Sequence, residues 1–161
     1  MSSDSGARGR TAEWLRPDEM LAWRSYVETN ADLMAALERD LAPTGLDLGD
    51  YQVLVFLSES PERSLRMCDL AAMLQLSPSG LTRRLDGLVR ADLVERRGSD
   101  SDRRVMLAAL TPKGLRVLED SAPVHVASVR TRMIDLLDED ELRVVAGVFQ
   151  KIRARLQDEH E

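Results

Sequence analysis

The segment Ser77-Pro78-Ser79-Gly80-Leu81-Thr82-Arg83-Arg84, followed by Arg96-Arg97 and Asp102-Arg103-Arg104, gathers the side chains of this chain best suited to specific chemistry. That chemistry is recognition rather than bond-making. A guanidinium offers a planar fork of donors that matches a phosphate or the O6/N7 edge of guanine, and hydroxyls beside it act as compact donors and acceptors. Between Ser77 and Arg116 nine basic residues stand against five acidic ones, a surplus of four; the rest of a chain with net charge −6 therefore carries −10. An acidic body with one basic segment suits a protein that touches nucleic acid on one face. A merely solvated charged surface gives the same count.

Other chemistries lack their residues. No glycine-rich phosphate loop, paired nucleophile and base, or cluster of metal-ligand types occurs, so neither an enzyme nor a bound metal or cofactor is expected. Cys68 is the one cysteine, which excludes an internal disulfide and four-cysteine zinc sites. It opens a short helix, where a Ser or Thr cap would be routine, and no second thiol is present to resolve a sulfenic acid. His125 and His160 add little ligand capacity. The longest apolar run, Val105 to Leu110, is far short of the roughly 20 residues that span a bilayer. Met1–Arg10 has no apolar centre and does not read as a secretory signal, so the expectation is a cytoplasmic protein without membrane contact.

The elements that position the basic residues follow from periodicity. With 161 residues, 43% hydrophobic, 31% charged and only 4% aromatic, the chain fits one domain with a Leu/Val/Ala/Met core. Residues 1–12 show no periodicity and are expected to be a disordered tail, with 13–161 forming a single unit. A helix begins at Pro17-Asp18 and ends at Pro43 and Gly45, and a second spans about Gly49 to Glu59. Glu62-Arg63-Ser64 reads as a turn, and Met67–Leu74 as a short helix with Leu70, Met73 and Leu74 inward. Gln75-Leu76 is a tight turn, and Ser77-Pro78 opens a further helix with Ser as cap and Pro at the first position. That helix runs to about Ala91 and buries Leu81, Leu85 and Leu88, leaving Ser79, Thr82, Arg83 and Arg84 outward.

Two short helices joined by a turn form a helix-turn-helix. Leu93–Arg97 and a strand from Val105, joined by the tip Gly98–Asp102, form a hairpin directly after it, the wing of a winged helix. From Thr111-Pro112 a long helix carries Leu115, Leu118, Ala122, Val126, Val129, Met133 and Leu136 on one stripe, and Pro123 should kink it. Asp138 with Glu141 forms a capping box for the last helix, whose Leu142, Val145, Phe149, Ile152 and Leu156 recur three and four apart. Such a seam calls for a partner helix. The fold class is thus mainly α with a small β wing: a winged helix-turn-helix at about 48–110, flanked by dimerisation helices at about 18–42 and 111–158.

Three stretches together resemble the MarR family of transcriptional regulators over roughly residues 18–156. They are Asp69-Leu70-Ala71; Leu76-Ser77-Pro78-Ser79-Gly80-Leu81-Thr82-Arg83; and Asp102-Arg103-Arg104 followed by Leu110-Thr111-Pro112-Lys113-Gly114. The resemblance implies a homodimer that binds a near-palindromic double-stranded operator, usually as a repressor, often released by a small phenolic or lipophilic effector or by oxidation. It matches Arg83 to the family's arginine that contacts base or phosphate, and Asp102 and Arg104 to an Asp-x-Arg wing motif. There the aspartate holds a guanidinium aimed at the minor groove. Ser79, Thr82, Arg84, Arg96, Arg97 and Arg103 complete the expected DNA contacts. An effector cleft between the dimer helices and the winged helix makes Trp23, Tyr26, Tyr51 and His125 candidate ligand contacts. Family members that sense peroxide carry their thiol near the first helix, so Cys68 is not expected to act as a sensor. Two further readings stay open: a winged helix used for protein–protein contact, and a regulator that needs no ligand.

Overall fold

A computed structural model describes residues 14–99 and 104–158, which fall into two compact units, one through Met34 and one from Ala35. The boundary lies inside the first helix, α1 (Pro17–Leu41). In the first unit Pro17 occupies the first turn, and Asp18 and Glu19 sit at the positive end of the helix dipole. Glu19 also accepts the Arg16 backbone N–H at 2.8 Å.

The second unit holds the core. Helix α2 (Leu48–Glu59) is apolar around most of its circumference, with Tyr51, Val53, Leu54 and Leu57 buried, as befits a central helix. Its amino terminus is satisfied twice: Asp47 Oδ1 accepts the Asp50 N–H at 2.6 Å, and Glu38 accepts the Leu48 N–H at 2.9 Å. After α2 the chain turns through Glu62 and Arg63, both at positive φ, into strand β1 (Ser64–Arg66). Ser64, expected in the turn, is therefore the first residue of a strand that the sequence does not announce. Three residues carry too little periodicity to be recognised, and β1 exists because β3 (Met106–Leu110) offers it a ladder from Ser64↔Ala109 to Arg66↔Leu107.

Helix α3 (Met67–Met73) buries Leu70 and Ala71, whereas Met73, expected inward, is 47% exposed. Its seven residues make under two turns, so only one narrow face meets the core. Gln75 takes a left-handed conformation and reverses the chain, and Ser77 caps α4 (Pro78–Arg90) by accepting the Gly80 N–H at 3.1 Å. Leu81, Leu85 and Leu88 are buried as expected. Asp92, also left-handed, closes the helix while Leu93 N–H returns to the Leu88 carbonyl at 2.9 Å.

Strand β2 (Val94–Gly98) pairs antiparallel with β3, giving a three-stranded sheet of order β1-β3-β2. Residues 100–103, between β2 and β3 in the sequence, lie outside the described residues. Helix α5 (Pro112–Arg132) starts on a dense joint. Thr111 caps it through the Gly114 N–H at 2.9 Å, and its hydroxyl also donates to the Asp92 carbonyl at 2.8 Å. Lys113 reaches the Ala91 carbonyl at 2.7 Å, and any Cβ on Gly114 would collide with the Leu93 carbonyl. The Thr-Pro-Lys-Gly segment thus fastens the end of α4, the start of β2 and the start of α5 together.

Helix α5 contains Pro123 and ends at Arg132, short of the expected Met133 and Leu136. Met133 leaves helical geometry (φ −138°, ψ −62°) and a single 3-10 turn, Ile134–Leu136, follows. Arg132 is tied to Asp40 at 2.5 Å and Arg130 to Asp135 at 2.5 Å, which anchors the chain where it turns. Helix α6 (Glu139–Asp158) opens with the expected capping box: Asp138 accepts the Glu141 N–H at 2.9 Å and Glu141 accepts the Asp138 N–H at 2.9 Å. Among the described residues, no helix is long and apolar enough to cross a membrane.

Candidate nucleic-acid interface

The helix-turn-helix consists of α3 and α4, and α4 has the stronger division of faces. Its leucines point into the core, while Ser79, Thr82, Arg83, Asp86 and Arg90 are exposed. Arg83, Asp86, Val89 and Arg90 line an open groove of about 520 Å³ along the outer face. Thr82 returns its hydroxyl proton to the Pro78 carbonyl at 2.9 Å, and the Ser79 hydroxyl lies 3.2 Å from that of the Ser77 cap. The first two turns thereby combine the positive end of a helix dipole, two hydroxyls and the Arg83 fork on one surface.

The arginines expected to act as one set separate into two groups. Arg84, next to Arg83, is only 28% exposed at its side chain. Its Nη1 donates to Asp47 Oδ1 at 2.6 Å and to Asp50 Oδ1 at 2.7 Å, across to the start of α2. Burial works against the Arg84 charge, but the hydrogen bonds it donates to both aspartates outweigh it and hold the guanidinium above its ordinary range. Burial likewise lifts the Asp50 carboxyl above the usual carboxylate range, against the pull of Arg84. Arg96, on β2, donates to the Thr82 carbonyl at 2.9 Å and to Asp86 at 2.8 Å, bracing α4 from the wing side.

Arg97 stays at the surface, with a long 3.9 Å approach to Glu95. Arg104 is exposed at the turn leading into β3. Asp102 and Arg103 lie outside the described residues, so the Asp-x-Arg pairing has no geometry here. Asp47, Asp50 and Asp86 were not singled out by sequence reasoning. The one local hint is Asp47-Leu48-Gly49-Asp50, where an amino-terminal cap is followed by a glycine that a passing side chain can cross.

The candidate effector residues form two pairs. In the first unit the Trp23 and Tyr26 rings lie 6.1 Å apart. In the second, the rings of Tyr51 on α2 and His125 on α5 pack at 4.6 Å, tilted by 39°. Among the described residues His125 Nδ1 is buried with no hydrogen-bond partner, and burial pulls the imidazole below its ordinary range. On α6 no residue is buried: Leu142 and Val145 are half-covered, and Phe149, Ile152 and Leu156 are 45%, 49% and 54% exposed. Cys68 is exposed, with its thiol 3.4 Å from the Asp69 carboxylate. Among the described residues no group of His, Cys, Asp and Glu could hold a metal ion.

Comparison with known proteins supplies the context for this arrangement. Residues 44–105 match the model of the MarR family. The crystal structure of AbsC, a MarR family transcriptional regulator from Streptomyces coelicolor, is 41% identical, covering 91% of this chain and 99% of its own, with a TM-score of 0.88. Sco3205, a MarR family regulator from the same organism solved in complex with DNA, is 34% identical with a TM-score of 0.87, covering 92% of this chain and 94% of its own. The transcriptional repressor YetL of Bacillus subtilis is 27% identical over 131 residues, 80% of this chain and 78% of YetL.

Proposed function

The chain belongs to the MarR family of winged-helix transcriptional regulators, and on that premise we propose that it is a homodimeric repressor that binds a near-palindromic operator and is released by a small effector. The observation that carries the DNA-binding part is the outer face of α4. Ser79, Thr82 and Arg83 are presented on the first two turns of a helix braced from both sides, which is how a recognition helix meets base edges in the major groove. The likeness to Sco3205, solved with DNA, and to a named repressor supports the same reading.

Effector release rests on the Tyr51–His125 ring pair. An aromatic pair with an unsatisfied ring nitrogen between α2 and α5 suits a planar, weakly polar ligand such as a phenol, whose hydroxyl would give Nδ1 its missing partner. Selection of bound duplexes from a random pool tests the whole proposal. One inverted-repeat motif should emerge, its affinity should fall steeply with salt, and a subset of phenolic compounds should release it. Failure to enrich any motif, or binding indifferent to salt, would remove the operator. Enrichment without release by any compound would leave a ligand-independent regulator.

A further inference from the structure

Two neighbouring arginines on α4 have opposite fates. Arg83 is exposed on the outer face, whereas Arg84 is turned back to the first turn of α2. Its target is built for it. Asp47 Oδ1 accepts both the Asp50 backbone N–H and Arg84 Nη1, at 2.6 Å each, and Asp50 Oδ1 accepts the same Nη1 at 2.7 Å. Gly49 leaves the guanidinium its place, since a Cβ there would collide with it. Successive residues on a helix point about 100° apart. Fixing Arg84 against α2 therefore fixes the rotation of α4 about its axis, and with it the direction of Arg83.

We infer that Arg84 is a positioning residue for DNA recognition: it locks the recognition helix to the start of α2 through Asp47 and Asp50, and does not itself contact the operator. Arg96 completes the bracket from β2 by holding the Thr82 carbonyl and Asp86. The inference rests on the DNA-binding reading above. It contradicts the simpler assignment in which every basic side chain of the recognition helix is a DNA contact.

The two assignments give opposite signs. Asp47→Asn/Asp50→Asn removes two negative charges beside a polyanion site while keeping a side chain that caps α2 as well as aspartate does. Electrostatics alone makes the variant bind the operator more tightly. Loss of the lock makes it bind roughly 2- to 150-fold more weakly, the span of coupling within one ion-pair network. Arg84→Ala should weaken binding without changing the salt dependence; a lost phosphate contact would instead reduce the slope by about 0.9 for each protomer. Amide exchange in the DNA-free protein gives an independent reading, with Leu81–Leu85 exchanging faster in the Asn variant. That measurement decides the lock even if the parent binds no duplex, a result that would overturn the DNA reading alone. Unchanged or tighter operator binding by the Asn variant, a reduced slope in Arg84→Ala, or unaltered exchange on α4 would overturn the inference. Should Arg84→Ala not fold, the Asn variant answers by itself.

Discussion

At the scale of single residues, exposure separates two adjacent arginines, Arg83 facing outward and Arg84 turned back to α2. Arg83 stands at the surface with Ser79 and Thr82, so its truncation to alanine should cost about 1–3 kcal/mol of operator affinity and relax preference at one base pair. Affinities for a panel of single-base operator variants would check this. Uniform weakening across the panel, with a shallower salt slope, would make Arg83 a phosphate contact instead. The wing gives a second prediction. Arg104 follows Asp102 with one residue between, the spacing at which a carboxylate can orient a guanidinium toward a narrow minor groove. Asp102→Ala removes a negative charge near phosphate, and simple electrostatics favours tighter binding. Orientation favours weaker binding, and weaker binding is expected at matched salt. An equal or higher affinity would show that Asp102 does not position Arg104.

At the scale of elements, the joints decide what the helices can do. The Thr111–Gly114 corner has no room for a side chain at Gly114, because the Leu93 backbone carbonyl occupies it. Gly114→Ala should lower stability by about 1–3 kcal/mol in urea denaturation, the usual cost of forcing atoms into a packed site; a loss below a few tenths would show that the corner yields. The contact of α2 with α5 brings a pH dependence through His125. Burial depresses its folded-state pKa, so the stability tied to the neutral ring is complete above about pH 6.5, the unfolded value, and is lost as pH falls through the lower folded value. His125→Phe keeps a ring against Tyr51 and cannot protonate. Its melting temperature should fall less than that of the parent between neutral and mildly acidic pH, and equal falls would contradict the assignment. These joints also mark where the sequence stops being legible. The helices, their caps at Ser77, Thr111 and Asp138, and the inward leucines of α4 follow from local spacing and hydrogen-bonding rules. Strand β1 and the partners of Arg84 do not, because they depend on residues over thirty positions away. Outward periodicity on α4 therefore marks Arg83 and Arg84 alike, and only the fold tells them apart.

At the scale of the whole molecule, the proposed dimer rests on α6. Leu142, Val145, Phe149, Ile152 and Leu156 alternate three and four residues apart, and none of them is buried in the single chain. Val148, Ile152 and Leu156 line, with Lys151 and Arg155, an open apolar groove of about 470 Å³. A helix with one apolar stripe is stable in water when the stripe is covered, and a second copy of the same seam would cover it symmetrically. Val145→Asp would place a charge in the middle of that seam. Sedimentation at micromolar concentration should find a dimer for the parent and monomer or aggregate for the variant. A folded monomeric parent would remove the dimer. In that proposed dimer the coupling to function is geometric, since a two-fold axis would place two copies of α4 on one side of the duplex, about one helical turn apart. Inserting about 5 base pairs between half-sites would turn the second half-site to the opposite side. Binding to that spaced operator should then fall to the level of an isolated half-site, because the second α4 no longer adds its contacts at high effective concentration. Val145→Asp should show that same half-site affinity on the intact operator, and should be indifferent to the inserted pairs. A variant that is monomeric yet still loses affinity when the half-sites are moved apart would show that the two sites communicate by some route other than α6.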